Sequence, residues 1–462
     1  MDEITALLAW QLADKIRSRL LSPVEVVEAY LRRIDQLNPS LNAIVTLAPD
    51  VIEKAREAES AVTRGDTLGP LHGVPVTIKD TIETAGLRTT SGSALRAEFI
   101  PLHDAPAVAR LKAAGAIILG KTNTAEMAMD YTADNPVFGR ANNPCDPLLT
   151  TGGSSGGEAA AIAASLSPGG IGSDLAGSIR IPSHFCGIAG LKPTVGRVPG
   201  GGQFPPSDGP YSLGASIGPM ARSINDLHLM FNVLAGIATP TASGNAFEER
   251  QASMKGWRVV RYVDDGVSPV TEETQQAVEA AAAALAGAGL VIEETRPPGI
   301  ERGHDLWLKL FSRASVVQLR NVYAGQEEKA GEFVRWRLAT ADNNPPSTLD
   351  DYISSWLERD RLRATLVQWM EETSLIVAPV GATPAFPHDA HKVTVGDRTL
   401  NTFRAFSYSQ TFNVFDLPAV TIPVTRTRAG LPIGVQIVGR PFEEETVLAA
   451  AAIIEEGLSD KL

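Results

Sequence analysis

Val24, Val27, Leu31, Ile34 and Leu37 recur at the spacing of one helical face, behind a start made of Ser22, Pro23 and Glu25. Ser22 reads as the N-cap, Pro23 as the first helical residue and Glu25 as the closing partner of a capping box. The pattern predicts a helix that buries one face and stops at Asn38-Pro39. The rest of the first sixty or so residues also reads as helix. From about 70 to 225 the period changes. Short continuous apolar runs (VPVTI, AIILG, GGIGS) alternate with helical ones (APAVARLKAAG, EAAAIAASL), the pattern of strands joined by crossover helices.

After HLMFNVLAG, the runs GWRVVRYV, TEETQQAVEAAAAALAGAG and LVIEE read as strand, helix, strand. Residues 301 to 372 turn mostly helical and carry Trp307, Trp336, Trp356 and Trp369, which suits a lid or pocket wall. Strands return in SLIVAPV, PAVTIPVT and PIGVQIVG before a last helix, EEETVLAAAAIIEE. The expected organisation is one compact α/β domain in four stretches. Residues 1–65 are N-terminal helices packed on the core, and 66–230 form the chemical core. Residues 231–372 are a variable, mostly helical segment that shapes the pocket, and 373–462 rejoin the core sheet.

Composition narrows the class. Of 462 residues, 44% are apolar and 20% charged, enough to bury a large core without a partner. A net charge of −12 repels phosphate backbones and anionic membrane surfaces, so neither nucleic acid nor membrane is an expected partner. The start, MDEITALLAWQLADKIRSRLLS, is acidic where a signal peptide is basic, and charges interrupt every apolar run before membrane-spanning length. A cytoplasmic location is expected. Cys145 and Cys186 are too few for a disulfide framework and lack a metal-ligand spacing. No cofactor and no metal are expected.

The candidate chemistry sits in three runs, HGVPVTIKD at 72–80, TGGSSGGEAAA at 151–161 and GSDLAGSIRIP at 172–182. They contain Ser154 and Ser178, each among small residues, and Lys79 at the end of a predicted strand. A serine nucleophile needs a base, and the only histidine in these runs, His72, is at the far end of that strand from Lys79. The lysine is the candidate base. Each feature also has a plain structural reading. The glycines and serines make a turn and a capped helix start, and Lys79 at a strand end pairs with Asp80.

Two other motifs compete. GAIILGKT, ending at Lys121 and Thr122, matches the letters of a phosphate-binding loop, but a predicted helix precedes it and AIIL reads as a strand. GGSSG matches the nucleophile elbow of α/β-hydrolase esterases, which requires a downstream acid and histidine; His184, His228, His304, His388 and His391 are the candidates.

The three runs, together with GKTN, NPVFGRANNP, SHFCGIAGLKPT, LPAVTIP and GLPIGVQIVG, resemble the amidase signature family of serine hydrolases. The likeness extends from about 20 to 460 and is weakest between about 235 and 370. It implies an α/β amidase-signature fold, a central twisted mixed sheet covered by helices on both faces. It also implies a triad in which Ser178 is the nucleophile, Ser154 a relay carrying a cis peptide bond, and Lys79 the base. The N–H groups of Leu175, Ala176, Gly177 and Ser178 match the oxyanion hole. Ser155, Asp174 and Arg180 match supporting positions, and Met127, Ala128 and Met129 a pocket-lining stretch. Burial away from carboxylates is then needed to bring Lys79 below the usual lysine pKa, so Asp80 must point away.

Two departures from the family pattern stand out. Ala176 replaces a common glycine, so its φ is expected below zero, with any positive φ in that turn on Gly177. After GLKPT the chain continues Val195-Gly196-Arg197-Val198-Pro199, unlike the glutaminase component of transfer-RNA amidotransferases. The second departure favours a free-standing amidase. The apolar content of the candidate pocket stretches, FRAFSYSQTF at 403–412 and the tryptophans of 307–369, points to small neutral amides, aryl amides first, and the resemblance extends to enzymes that cleave carbamates, ureas, nylon-type oligomers or esters. Alternatives are the amidotransferase glutaminase, the elbow-type esterase and a P-loop nucleotidase. A small-molecule substrate is the expected partner, with homodimer formation allowed.

Overall fold

The computed structural model describes residues 3–237, 245–341 and 348–459. Its centre is an eleven-stranded mixed sheet. In chain order the strands are β1 (Ile44–Leu47), β2 (Pro75–Lys79), β3 (Ile117–Thr122), β4 (Gly169–Asp174), β5 (Ala189–Lys192), β6 (Ser216–Ala221), β7 (Arg258–Arg261), β8 (Val291–Glu294) and β9 (Leu375–Pro379). A separate hairpin, β10 (Lys392–Val395) and β11 (Arg398–Asn401), precedes β12 (Ala419–Arg426) and β13 (Pro432–Val438). Across the sheet the order is β1, β3, β2, β4, β6, β5, β12, β13, β9, β7, β8. The strands after 373 therefore lie in the middle, between the chemical core and the 258–294 unit.

Side-chain alternation along the strands separates two apolar layers. Leu375 and Val377 of β9 join the layer that contains Val27, Tyr30, Phe231, Leu285 and Leu448. Ile376 and Ala378, pointing the other way, join Phe185, Trp307, Phe311, Phe406 and Phe412. Helices thus cover both faces. Helices Pro23–Leu41, Ile224–Ala235, Glu272–Gly287 and Glu444–Leu458 contribute to the first layer, and Arg180–Cys186, Gly303–Trp307 and Ser407–Val414 to the second.

The capping box at Ser22 forms as expected, with the side chain accepting from Val24 N–H and Glu25 reaching back to the Ser22 N–H. The helix does not stop at Asn38-Pro39, however, but runs to Leu41. A proline that near the end forfeits a single hydrogen bond, and the turn after it is secured separately: Asn38 Oδ1 accepts from Ala43 and Ile44 N–H while Asn42 closes the helix in the left-handed region. The first sixty residues are also not all helical, since β1 adds to the sheet edge beside β3.

β2 and β4 run parallel, with Thr77 opposite Gly170 and Ile78 opposite Ile171. Their carboxyl ends, Lys79 and Asp174, consequently emerge on the same edge of the sheet. Helix Gly156–Ala163 starts against them. A β-carbon on Gly172 would fall 2.7 Å from Ser155 Oγ, so only glycine lets that turn lie on β4.

Candidate active site

Lys79 is fully buried at the end of β2. Its Nζ donates to Ser154 Oγ at 2.6 Å and to Ser173 Oγ at 3.0 Å. Burial pushes the ammonium down to about 7, against the opposing pull of the Asp174 and Glu158 charges. Asp80 faces elsewhere, its Oδ2 accepting from Thr90 N–H at 3.0 Å and Thr90 Oγ1 at 2.5 Å. Glu158, on the first turn of the helix behind Ser154, is bound by Thr77 and Thr122 hydroxyls, and burial pushes its carboxyl up to about 7. A carboxyl pushed up this far carries less than a full charge near neutrality, which weakens its hold on a Lys79 proton.

Ser154 follows a cis Gly153–Ser154 peptide. Its carbonyl accepts from Ala125 N–H at 3.3 Å, and the next amide, Ser155 N–H, donates to the Ser178 carbonyl at 3.1 Å. That bond ties the two serine turns together. Ser178 lies between β4 and helix Arg180–Cys186 and is 6% exposed. Gly177 takes the turn at φ +106°, while Ala176 stays outside the left-handed region, as expected for a residue with a β-carbon.

The turn is built on Asp174. Its carboxylate accepts from Gly177 N–H at 2.8 Å and Ile179 N–H at 3.1 Å, and forms a two-pronged pair with Arg180. Arg180 also donates to Gln436 Oε1 and Asn413 Oδ1. Burial alone would raise the Asp174 carboxyl, but Arg180 more than reverses this and holds it well below the usual carboxylate range. The Gly177 amide is therefore committed to Asp174, and Leu175, Ala176 and Ser178 are the other amides of the expected oxyanion set.

Two small cavities meet at Ala128, Met129, Leu175 and Ser178. The first also touches Met127, Ser154 and Ser173 and is roofed by 203–207, where Phe204–Pro205 is cis. The second is walled by Tyr131, Ala176, Trp307, Phe311 and Phe403. Of the four tryptophans of the helical segment, only Trp307 reaches either of them; Trp356 backs Phe311 and Trp336 is 56% exposed. Asp130 and Arg337 also reach the second cavity. Asp130 is held by Tyr131 N–H and Thr132 Oγ1, and Arg337 by Ser312 and Ser315. Sequence reasoning missed both, as it did Ser173 and Tyr131. Ser173 stands one residue before Asp174 inside a run already singled out, and Asp130 and Tyr131 directly follow the stretch 127–129, whereas Arg337 has no local signal.

The competing motifs are corrected by this geometry. The stretch read as a phosphate loop is β3, and Lys121 is a fully buried strand residue bonded to the Ile82 carbonyl and Thr84 Oγ1. Among the described residues no histidine lines either cavity. His184 is occupied elsewhere, Nδ1 accepting from Gly434 N–H at 2.7 Å and Nε2 donating to the Thr383 carbonyl at 3.0 Å.

The sequence pattern of the Amidase family matches residues 25–448. Over 476 residues the chain is 34% identical to a glutamyl-tRNA(Gln) amidotransferase subunit of Thermus thermophilus, covering 96% of this chain and 97% of the relative. It is 31% identical to human fatty-acid amide hydrolase 2 over 487 residues, covering 98% of this chain and 90% of the relative. The solved structure of an amidase superposes with a TM-score of 0.86 at 27% identity, covering 98% of this chain and 100% of that one. A lysine and two serines brought together at the edge of a mixed sheet thus sit inside a chain whose whole length has the same relatives, and the protein belongs to the amidase signature family, amidohydrolases acting on C–N bonds.

Proposed function

We propose that the protein hydrolyses small neutral amides through an acyl-enzyme on Ser178. The contact of 2.6 Å between Lys79 Nζ and Ser154 Oγ, in a buried setting that brings the lysine near neutrality, carries this reading. Neutral Lys79 accepts the Ser154 proton as Ser154 accepts that of Ser178, whose Oγ attacks the substrate carbonyl. Loop amides stabilise the resulting oxyanion, an effect worth about 3–4 kcal/mol per donor. The protons then return by the same route to the leaving amine, and water, deprotonated through Ser154, releases the acyl group.

The second cavity favours a flat or aliphatic group on the acyl side. Trp307 stacks on Phe403 at 5.8 Å and Tyr131 packs on Phe403 at 4.8 Å. With Asp130 and Arg337 held by neighbouring protein groups, the surface offered to a ligand is mainly apolar, four rings among it. Aryl amides are the leading substrate class, and carbamates and esters present the same carbonyl. A hydrolysis screen with chromogenic anilides, carbamates and esters tests this; release of product from none of them by the active wild-type chain would refute it.

The similarity to amidotransferase components favours a second reading, a glutaminase that supplies ammonia to a partner. The purified chain alone should cleave an aryl amide and show no preference for glutamine. Activity that requires both partner proteins and glutamine would reverse the order of the two readings.

A further inference from the structure

In a trans peptide unit the carbonyl and the N–H point in opposite directions, so a group that holds the carbonyl also aims the amide. Two successive units of the Ser178 turn are held this way. Trp307 Nε1 donates to the Leu175 carbonyl at 3.0 Å, which turns the Ala176 N–H to the opposite side. Tyr131 Oη donates to the Ala176 carbonyl at 2.8 Å, and the N–H of that unit, on Gly177, donates to Asp174 Oδ1 at 2.8 Å. The second unit is clamped at both ends.

The direction of the tyrosine hydroxyl is itself fixed. Gln410 Nε2 donates to Tyr131 Oη at 2.8 Å, which leaves the hydroxyl proton for the Ala176 carbonyl. Gln410 Oε1 faces His304 Nδ1 at 2.6 Å, and since the amide oxygen can only accept, the imidazole carries its proton on Nδ1. A one-way chain of donors thus runs from His304 through Gln410 and Tyr131 to Ala176. Its first member and Trp307 belong to the same short helix, Gly303–Trp307.

We infer that Trp307 and Tyr131 are positioning residues of the Ser178 turn: Trp307 aims the Ala176 amide, an oxyanion-binding candidate, from behind, and Tyr131, oriented by His304 and Gln410, locks with Asp174 the next peptide unit, so that the turn holds that amide in place. The inference rests on Ser178 being the nucleophile. Because the same Trp307 and Tyr131 rings wall the second cavity, an acyl group that displaces Trp307 also disturbs the Ala176 amide. Acyl specificity should therefore be expressed in kcat more than in KM.

Trp307→Phe and Tyr131→Phe each keep a ring and remove one donor. The test is the rate at which a fluorophosphonate labels Ser178, followed by intact mass, alongside the affinity for phenylboronic acid, which becomes a tetrahedral anion on a serine. Each variant should label about tenfold more slowly or worse and lose boronate affinity by a similar factor, with Tm within a few degrees of wild type. His304→Leu should have a smaller effect, and none when added to Tyr131→Phe. Wild-type labelling rates in both single variants, or a slowing that merely tracks loss of folded protein, would overturn the inference. Additive losses for His304 and Tyr131 would remove the relay. Failure of the wild-type chain to be labelled at Ser178 would defeat the nucleophile assignment and this inference with it.

Discussion

Lys79 and Asp80, neighbours in the chain, face different partners: the lysine reaches Ser154 and Ser173, the aspartate Thr90. This separation is what lets burial dominate the lysine. With Lys79 pushed down to about 7, the base is neutral above that pH and protonated below it. Turnover should rise with pH through an apparent pKa near 7, shared with Glu158 as a coupled pair. A profile controlled by a group that shifts when His304 or His184 is replaced would count against the assignment.

The same lysine is a burden on stability. Its folded pKa lies below the unfolded value, so between about 7 and 10.5 the unfolded chain binds the extra proton and stability rises with pH. Lys79→Met should abolish turnover while raising Tm, because an apolar side chain of similar length needs no charge buried. Thermal melts of the two proteins at pH 6 and 9 test this, with the larger gain expected at pH 6. A lower Tm for the variant at both pH values would refute it.

Ser178→Ala, Ser154→Ala and Lys79→Ala should each lower kcat by several orders of magnitude. The double variant Lys79→Ala with Ser154→Ala should be little worse than the poorer single one, since the proton path fails as a unit. Near-normal turnover in any single variant would rule out this path.

Asp174 and Arg180 are each fully buried in a two-pronged pair. Removing one partner strands the other charge, so Asp174→Ala should cost about 3–5 kcal/mol in urea unfolding. A loss below about 1 kcal/mol would show that the pair does not organise the turn.

Ala176 lies in the wall of the second cavity. Ala176→Gly should improve hydrolysis of bulky acyl anilides relative to acetanilides, with a stability loss of about 0.5–1 kcal/mol. An unchanged ratio would place the methyl group outside the acyl path.

What is legible in the sequence has a physical pattern. β2, β3, β9 and β13 are buried along their length, β12 over most of it, and all five are written as mainly apolar runs of strand length. β5 and β6 are not legible, because AGLK and SIGPMA offer only Leu191 and the pair Ile217 and Met220 as large apolar residues, too few to mark a strand. The hairpin β10–β11 does leave a local trace, alternating positions around Gly396-Asp397, too short to stand out without its neighbours. In the site, Ser154 and Ser178 come from runs dense in small residues and Lys79 from the end of a strand-like run, and the three runs do converge. Asp130 and Tyr131 directly follow the pocket-lining stretch 127–129, whereas Arg337 reaches the same cavity from a stretch related to it only in the folded chain.

Arg180 takes its hydrogen bond to Gln436 from 256 positions further along the chain, and β12, which lies beside β5, is also among the last strands made. On a ribosome the Ser178 turn would leave the exit tunnel long before the groups that brace it. Contacts that distant close late in folding. A nascent chain therefore lacks the Asn413 and Gln436 part of the brace on Arg180 until synthesis is nearly complete. Products truncated before β13 should be inert rather than weakly active, which spares the cell a partly formed hydrolase.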